Sequence, residues 1–152
     1  MAVIIGTNSY IDEAELTAYA LLRGVTLSGD PSVLLIKAMD YLESQSFIGY
    51  KTDTAQPLQW PRSEAYIDGV LIDPDTVPQE VKDAQAVISM SIDAGYDPLA
   101  TYGPAVKREK VDVIEIEYKD SASTTDYSPA ITRALDKITT GSGGQIQLSA
   151  YR

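Results

Sequence analysis

The strongest constraint on the fold is the helical spacing of apolar residues in four separate segments. These segments are residues 10–23, 32–46, 78–94 and 128–138, and in each one apolar side chains recur three or four positions apart. That period places the apolar groups along one side of a helix, where they can pack against a neighbour. Four amphipathic helices of this length predict a small, mainly α-helical bundle.

Residues that favour helix ends mark the boundaries of these segments. Ser9 is the expected N-cap of the first helix, and Gly24 is its expected end. Asp30 precedes Pro31 at the start of the second helix, where the missing N–H of proline has no cost. The apolar stripe of the first helix is formed by Ile11, Ala14, Ala18, Leu21 and Leu22.

Residues 50–77 interrupt the helical pattern. This excursion contains the single tryptophan of the chain, Trp60, three positions after one proline and directly before another. Its aromatic and aliphatic residues favour a folded excursion over disorder, because such side chains favour burial. Residues 66–72 alternate around Asp68-Gly69, which predicts a small β-hairpin.

Two later segments have the alternation of extended structure. Residues 106–118 alternate apolar and charged side chains, which predicts one β-strand. A second alternating pattern follows the glycines after Thr140, so we expect residues 139–152 to form an extended C-terminal arm. The predicted architecture is therefore a bundle of about four helices over residues 1–138, with the central excursion 50–77 and a β-strand segment.

The chain has no histidine and no cysteine. Histidine bases, cysteine nucleophiles and thiolate metal sites are therefore excluded. We expect no enzyme, no cofactor and no metal site, and a small enzyme using a carboxylate or tyrosine base is only a third hypothesis. The sequence has no signal-peptide pattern and no apolar run that could span a bilayer, so we expect no membrane association.

Three motifs could suggest a ligand site, and for each one we prefer a structural interpretation. The sequence TGSGGQ lacks the lysine of a phosphate-binding loop and is interpreted as a linker. Asp73, Asp75 and Glu80 lack the spacing of a calcium loop, so we interpret them as a solvated turn. Glu115 and Glu117 have no evident partner that would make them an acid–base pair.

The net charge of −10, from 22 acidic and 12 basic residues, argues against a conventional DNA-binding surface. Affinity for phosphate backbones comes mainly from lysine and arginine, and an acidic surface repels them. The one basic run, residues 107–110, includes a glutamate, and we interpret it as a solvated or intersubunit segment. The ten tyrosines fit either base stacking or protein interfaces. Single-stranded DNA binding stays open as an alternative function.

Apolar and aromatic residues outside the helices predict protein interfaces, because extended segments can pair with other chains. For Trp60, an equally good interpretation is that it covers the open end of the bundle core. The candidate interface residues are Trp60, Pro61, Arg62, Tyr66, Lys107, Arg108, Ile114, Ile116, Tyr118, Ile146, Leu148, Tyr151 and Arg152.

Two sequence elements are specific enough to indicate a family. They are QPLQWPR at residues 56–62 and VKREKV at residues 106–111, the latter followed by IEIEY at residues 114–118. Shorter matching elements are NSY at 8–10, DYL at 40–42, FIG at 47–49, VKDA at 81–84 and SPA at 128–130. The chain thereby resembles the head-to-tail connector proteins of tailed bacteriophages, also called adaptor or head-completion proteins. Many of these carry the label "putative DnaT-like single-stranded DNA-binding protein".

This resemblance implies a structural protein of the virion neck, made in the cytoplasm of a bacterial host. It implies a homo-oligomeric ring of twelve copies that docks on the portal protein, extends the DNA channel and supports the next neck or tail-completion protein. Packaged double-stranded DNA would pass through the ring without specific binding. The family has no catalytic residues to carry over, and the Gly-rich arm departs from its pattern. The alternative remains a DnaT-like replication accessory that binds single-stranded DNA.

Overall fold

The computed structural model describes residues 2–100, 108–111, 114–117 and 128–141. Its helices are α1 (Glu13–Leu21), α2 (Pro31–Leu42), α3 (Gln79–Asp93) and α4 (Pro129–Leu135). The four expected helices occur in the expected order, and the mainly α-helical fold class is confirmed. α3 is the central helix, since it packs against each of the other three. Within the described ranges, no helix is long and apolar enough to cross a membrane.

The start of α1 corrects the predicted N-cap. Asp12 caps the helix, because its side chain accepts a hydrogen bond from the Glu15 N–H at 2.8 Å. Glu15 in turn accepts one from the Asp12 N–H at 2.9 Å, which completes a reciprocal capping box. Ser9 lies before this box and is buried, with its hydroxyl donating to the Ile11 carbonyl at 2.6 Å.

The predicted start of α2 is confirmed. Asp30 accepts a hydrogen bond from the Ser32 N–H at 2.9 Å, and Pro31 occupies the first turn. The helix ends at Leu42, earlier than the predicted residue 46. The chain leaves the helix there through tight turns, in which the Ser44 N–H donates to Tyr41 and the Gln45 N–H to Leu42.

Among the described residues, three two-stranded antiparallel sheets accompany the helices. β1 (Tyr50–Lys51) pairs with β2 (Arg62–Ser63), β3 (Tyr66–Ile67) with β4 (Val70–Leu71), and β5 (Arg108–Val111) with β6 (Ile114–Glu117). The β3–β4 pair is the predicted hairpin, and its turn has positive φ at Asp68 (51°) and Gly69 (81°). Such angles define the tight hairpin turn that an Asp-Gly pair favours.

The predicted single strand at residues 106–118 is wrong. The structure divides this segment into β5 and β6, with Val111 opposite Ile114 across a two-residue connection. Two residues are sufficient to reverse an antiparallel chain. Alternation continues on both sides of such a reversal, so the residue pattern alone does not reveal it.

The excursion folds onto the bundle and supplies part of its main core. Residues from α2, α3 and α4 surround side chains of the excursion and of the loop before it: Phe47, Leu58, Trp60, Ala65 and Ile67. A smaller core joins the first part of the chain to α2 and α3 through Ile11, Leu16, Leu34, Leu35 and Ala86. Backbone bonds from Ile48 to Ile138 (3.1 Å) and from Thr140 to Ser46 (2.8 Å) attach the end of α4 to the loop after α2.

Candidate interaction surface

The predicted interface role of Trp60 is not compatible with its position. Its side chain is 2% exposed and contacts Phe47 edge-on, with ring centroids 5.9 Å apart. The structure therefore supports the other interpretation, in which Trp60 completes the bundle core. Its indole N–H is buried and has no hydrogen-bond partner among the described residues.

Glu43 and Tyr10 fix the backbone on which Trp60 lies. The Tyr10 hydroxyl donates to one carboxylate oxygen of Glu43, and the other oxygen accepts from the Gln59 N–H at 2.8 Å. The Trp60 N–H donates to the Tyr10 hydroxyl at 3.2 Å. Burial raises the pKa of Tyr10 far above its usual range, and burial also raises the pKa of Glu43. The network joins the start of the chain, α2 and the excursion.

A second buried network surrounds Gln85 of α3. Its side-chain oxygen accepts from the Tyr10 N–H at 2.9 Å, and its side-chain nitrogen donates to the Ser9 hydroxyl at 2.7 Å. Gln85 and Ser9 are both 0% exposed. These bonds satisfy buried polar groups, so they hold the segment before α1 in one position. No local sequence pattern indicates Tyr10, Glu43 or Gln85, because each partner lies far away along the chain.

Arg62 also acts within the chain. Its guanidinium donates to the carbonyls of Ile48 and Gly49, each at 2.8 Å, and to the Gln59 side chain at 2.9 Å. These bonds hold β2 beside the loop that follows α2. Arg62 and Pro61 keep some exposure, but the described contacts of Arg62 are intramolecular.

Tyr66 has the surface position expected of an interface residue. It lies opposite Leu71 in the β3–β4 hairpin, and the two side chains are 58% and 54% exposed. Val70 beside them is also exposed. Lys137 attaches the hairpin to the end of α4 through a salt bridge to Asp68 at 2.7 Å. The hairpin therefore presents an exposed apolar surface, and the salt bridge to Lys137 connects it to the rest of the fold.

The outer side of α1 carries a second apolar surface, which sequence reasoning assigned to the core. Leu16 and Ala20 are the buried residues of this helix. Of the predicted stripe, only Ile11 is buried. The other four side chains form the exposed α1 face: Ala14, Ala18, Leu21 and Leu22. The sequence of α1 does contain an indication of this surface, because apolar residues occur on both sides of the helix. Such a pattern is typical of a helix that packs against protein on both sides.

A shallow groove of about 260 Å³ runs beside the α1 face, between α1 and α3. Ile11, Ala18 and Ala86 contribute apolar atoms to it, while Glu15 and Asp83 are acidic residues of its lining. Two apolar surfaces, the hairpin and the α1 face, are therefore open for contact with other molecules.

The structure describes three of the nine remaining predicted interface residues. Arg108 belongs to β5, and Ile114 and Ile116 belong to β6. The other six lie outside the described residues, and their interface roles stay predictions: Lys107, Tyr118, Ile146, Leu148, Tyr151 and Arg152.

The possible carboxylate site at Asp73 has the structure of a turn. The Asp75 N–H donates to the Asp73 side chain at 2.8 Å, and the Thr76 N–H to the Asp73 carbonyl at 3.1 Å. Throughout the described part of the chain, no three acidic residues lie close enough together to hold a metal ion.

A family model described as "Putative DnaT-like ssDNA binding protein" matches residues 2–152. No curated protein and no solved structure shows significant similarity to the chain. The match covers nearly the whole chain, and it does not extend to the head-to-tail connector role that the sequence resemblance implied.

Proposed function

The chain belongs to the family described as "Putative DnaT-like ssDNA binding protein", and we propose that it works as a structural subunit that assembles with copies of itself and with partner proteins. Its specific role in this proposal is that of a head-to-tail adaptor in the neck of a tailed bacteriophage. The partners are further copies in a ring, the portal protein and the next neck or tail-completion protein.

The observation that carries this proposal is the exposed α1 face. Leu21 and Leu22 are 60% and 85% exposed, on a helix whose opposite side already lies in the core. Large apolar side chains gain stability when another protein removes them from water. The exposed Tyr66 and Leu71 of the hairpin support the same conclusion, since tyrosine is enriched at protein interfaces and an exposed leucine adds apolar area beside it.

The net charge supports a role beside DNA without specific binding. At −10, the chain repels a phosphate backbone, and acidic side chains facing a channel would let a duplex slide past. The sequence resemblance to connector proteins gives the finer assignment to the virion neck.

Mass spectrometry of purified virions from the phage that encodes this chain tests the proposal. We expect the protein to be present in many copies per particle, and averaged electron micrographs to place it between portal and tail. Virions that lack the protein would refute the adaptor role.

Single-stranded DNA binding is the second candidate, and the family description favours it. Within the described part of the chain, the exposed Tyr50 and Tyr66 are residues on which bases could stack. Fluorescence anisotropy of a labelled oligothymidylate, measured across a salt series, separates the two functions. Tight binding that falls steeply with salt, and that weakens in Tyr50→Ala and Tyr66→Ala, would establish the second candidate. Absence of binding at low salt would exclude it.

A further inference from the structure

We propose that the free protein forms a two-fold dimer through the α1 face, with two α1 helices packed antiparallel and crossing at Ala18. The inference rests on the proposed function in one respect, that the α1 face contacts other protein chains, and it concerns the free protein before ring assembly. It adds the surface, the partner and the symmetry of one contact.

The α1 face points directly away from the core. Successive residues of an α-helix are rotated by about 100°. Leu16 and Ala20 point into the core, so Ala18 between them lies at the centre of the opposite side. Ala14 and Leu22 lie one turn before and one turn after Ala18 on that same side. Of the two charged residues of α1, Glu15 borders this side, and its carboxylate accepts from the Asp12 N–H in the capping box.

The sizes of the exposed residues fit an antiparallel pair of identical helices. Small Ala14 and Ala18 occupy the first part of the α1 face, and large Leu21 and Leu22 occupy its end. About a two-fold axis at Ala18, each Leu22 covers the Ala14 of the other copy, and the two Ala18 residues meet. Small residues at a crossing let helix axes approach closely, within the usual range of about 8–10 Å.

The charges at the two ends of α1 are also self-complementary. Glu13 and Glu15 lie in the first turn, and Arg23 follows the last turn. An antiparallel arrangement places Arg23 of each copy beside Glu15 of the other. The Arg23 guanidinium lies 3.4 Å from the centroid of the Tyr19 ring and donates to the Tyr19 carbonyl, on the flank where Glu15 also lies. Antiparallel helix dipoles attract each other as well.

Size and charge set the strength of this contact. A helix of nine residues is only about 14 Å long, so the area covered is well below the roughly 800 Å² per partner of a stable complex. Each copy also carries a charge of −10. The dimer is therefore weak, and salt strengthens it by screening the repulsion between copies. A two-fold contact pairs the same patch on both copies, so it does not by itself close a ring. We therefore assign the two-fold dimer to the free protein, before it assembles into a ring.

The absence of cysteine makes disulfide cross-linking a direct test. Ala18→Cys places one thiol on the proposed axis, and Thr17→Cys is the matched control on an exposed neighbour that points about 100° away. Under mild oxidation in moderate salt, we expect Ala18→Cys to form covalent dimers about tenfold faster than Thr17→Cys. A tagged Ala14→Cys protein should likewise cross-link to an untagged Leu22→Cys protein. Equal rates for Ala18→Cys and Thr17→Cys would overturn the inference.

Sedimentation equilibrium of Leu22→Glu gives an independent measurement. Leu22 is 85% exposed, so circular dichroism should show an unchanged fold. We expect the dissociation constant of the dimer to rise about tenfold or more. Unchanged association in this variant would overturn the α1 contact. The protein could then still occur in virion necks, so failure of this inference is distinguishable from failure of the proposed function.

Discussion

The phenolic hydroxyl of Tyr10 donates a hydrogen bond to a carboxylate oxygen of Glu43, which joins the start of the chain to the end of α2. The same hydroxyl accepts a bond from the Trp60 N–H, and the carboxylate accepts one from the Gln59 N–H. Two side chains therefore satisfy the backbone at the point where the excursion enters the core. An unsatisfied N–H at such a buried place would cost more than one exposed to water.

The Tyr10→Phe variant tests this network. It removes the acceptor of the Trp60 N–H and the donor to Glu43, while the aromatic ring keeps its place in the core. We expect the free energy of unfolding, measured in urea, to fall by about 2 kcal/mol. Tyr50→Phe is the matched control, because Tyr50 is 67% exposed, and its effect should stay within about 0.5 kcal/mol. Equal effects of the two changes would show that the network contributes nothing.

Glu43 predicts a specific dependence of stability on pH. Burial raises the pKa of this carboxyl above its ordinary value of 4.5, so the folded state binds the proton more tightly than the unfolded state. Its contribution to stability is fully present below that ordinary value and is lost as pH rises through the folded pKa. Glu43→Gln cannot ionise. The difference in unfolding free energy, wild type minus Glu43→Gln, should therefore decrease from about pH 4 to about pH 7.

Urea unfolding of both proteins at several pH values in this range measures that difference. Glutamine has one acceptor oxygen where the carboxylate has two, so one of the bonds from Tyr10 and Gln59 is altered in the variant. That alteration shifts the free energy of unfolding by an amount that does not vary with pH, so only the change with pH is informative. A difference that grows with pH would mean that the folded state favours the charged carboxylate. The assigned direction of the pKa shift would then be wrong.

Arg62 should not be replaceable by lysine. Its planar guanidinium reaches the carbonyls of Ile48 and Gly49 and the side chain of Gln59 at once, and an ammonium cannot match that geometry. We expect Arg62→Lys to lower the melting temperature and the unfolding free energy, the latter by about 2 kcal/mol. Arg133→Lys on the exposed side of α4 is the control and should be nearly neutral. A neutral Arg62→Lys would indicate that charge alone suffices.

Local features of the sequence predicted the elements whose cause is local. Asp30 and Pro31 fix the start of α2 within one turn, and Asp68-Gly69 supplies the backbone angles of the hairpin. In both cases the residues that determine the structure are neighbours along the chain. A pattern of a few residues is then sufficient to predict it.

The orientation of α1 and the environment of Trp60 could not be predicted in that way. α1 is apolar on both sides, so its own sequence does not decide whether Leu16 or Leu22 faces the core. Packing against α2 and α3 decides it. Trp60 is likewise buried through contacts to Tyr10 and Phe47, which are distant in sequence. The α1 face follows from this packing and was not among the predicted interface residues, whereas Tyr66 of the hairpin lies at the surface as expected.

Alanine substitutions at Gly49 and Gly69 separate two energetic costs, that of backbone strain at positive φ and that of overlap between the added Cβ and neighbouring atoms. Both have positive φ, at 68° and 81°, where any residue with a Cβ is strained. At Gly69 an added Cβ would meet nothing within 4 Å, so Gly69→Ala carries the backbone cost alone, about 1 kcal/mol. At Gly49 the added Cβ would lie 2.4 Å from the Ser63 carbonyl oxygen and 3.0 Å from the Ala65 nitrogen. Backbone atoms would have to move to relieve that overlap.

We therefore expect Gly49→Ala to lower the unfolding free energy by about 3 kcal/mol or more, and to do so by separating β2 from the loop after α2. Urea unfolding compares the two alanine variants, and hydrogen exchange of the Arg62–Ser63 amides reports the local separation. Exchange should accelerate in Gly49→Ala and stay unchanged in Gly69→Ala, because only Gly49→Ala creates an overlap, and that overlap involves Ser63 of β2. If both variants lost the same stability, close contact between Gly49 and Ser63 would not be a constraint on this fold.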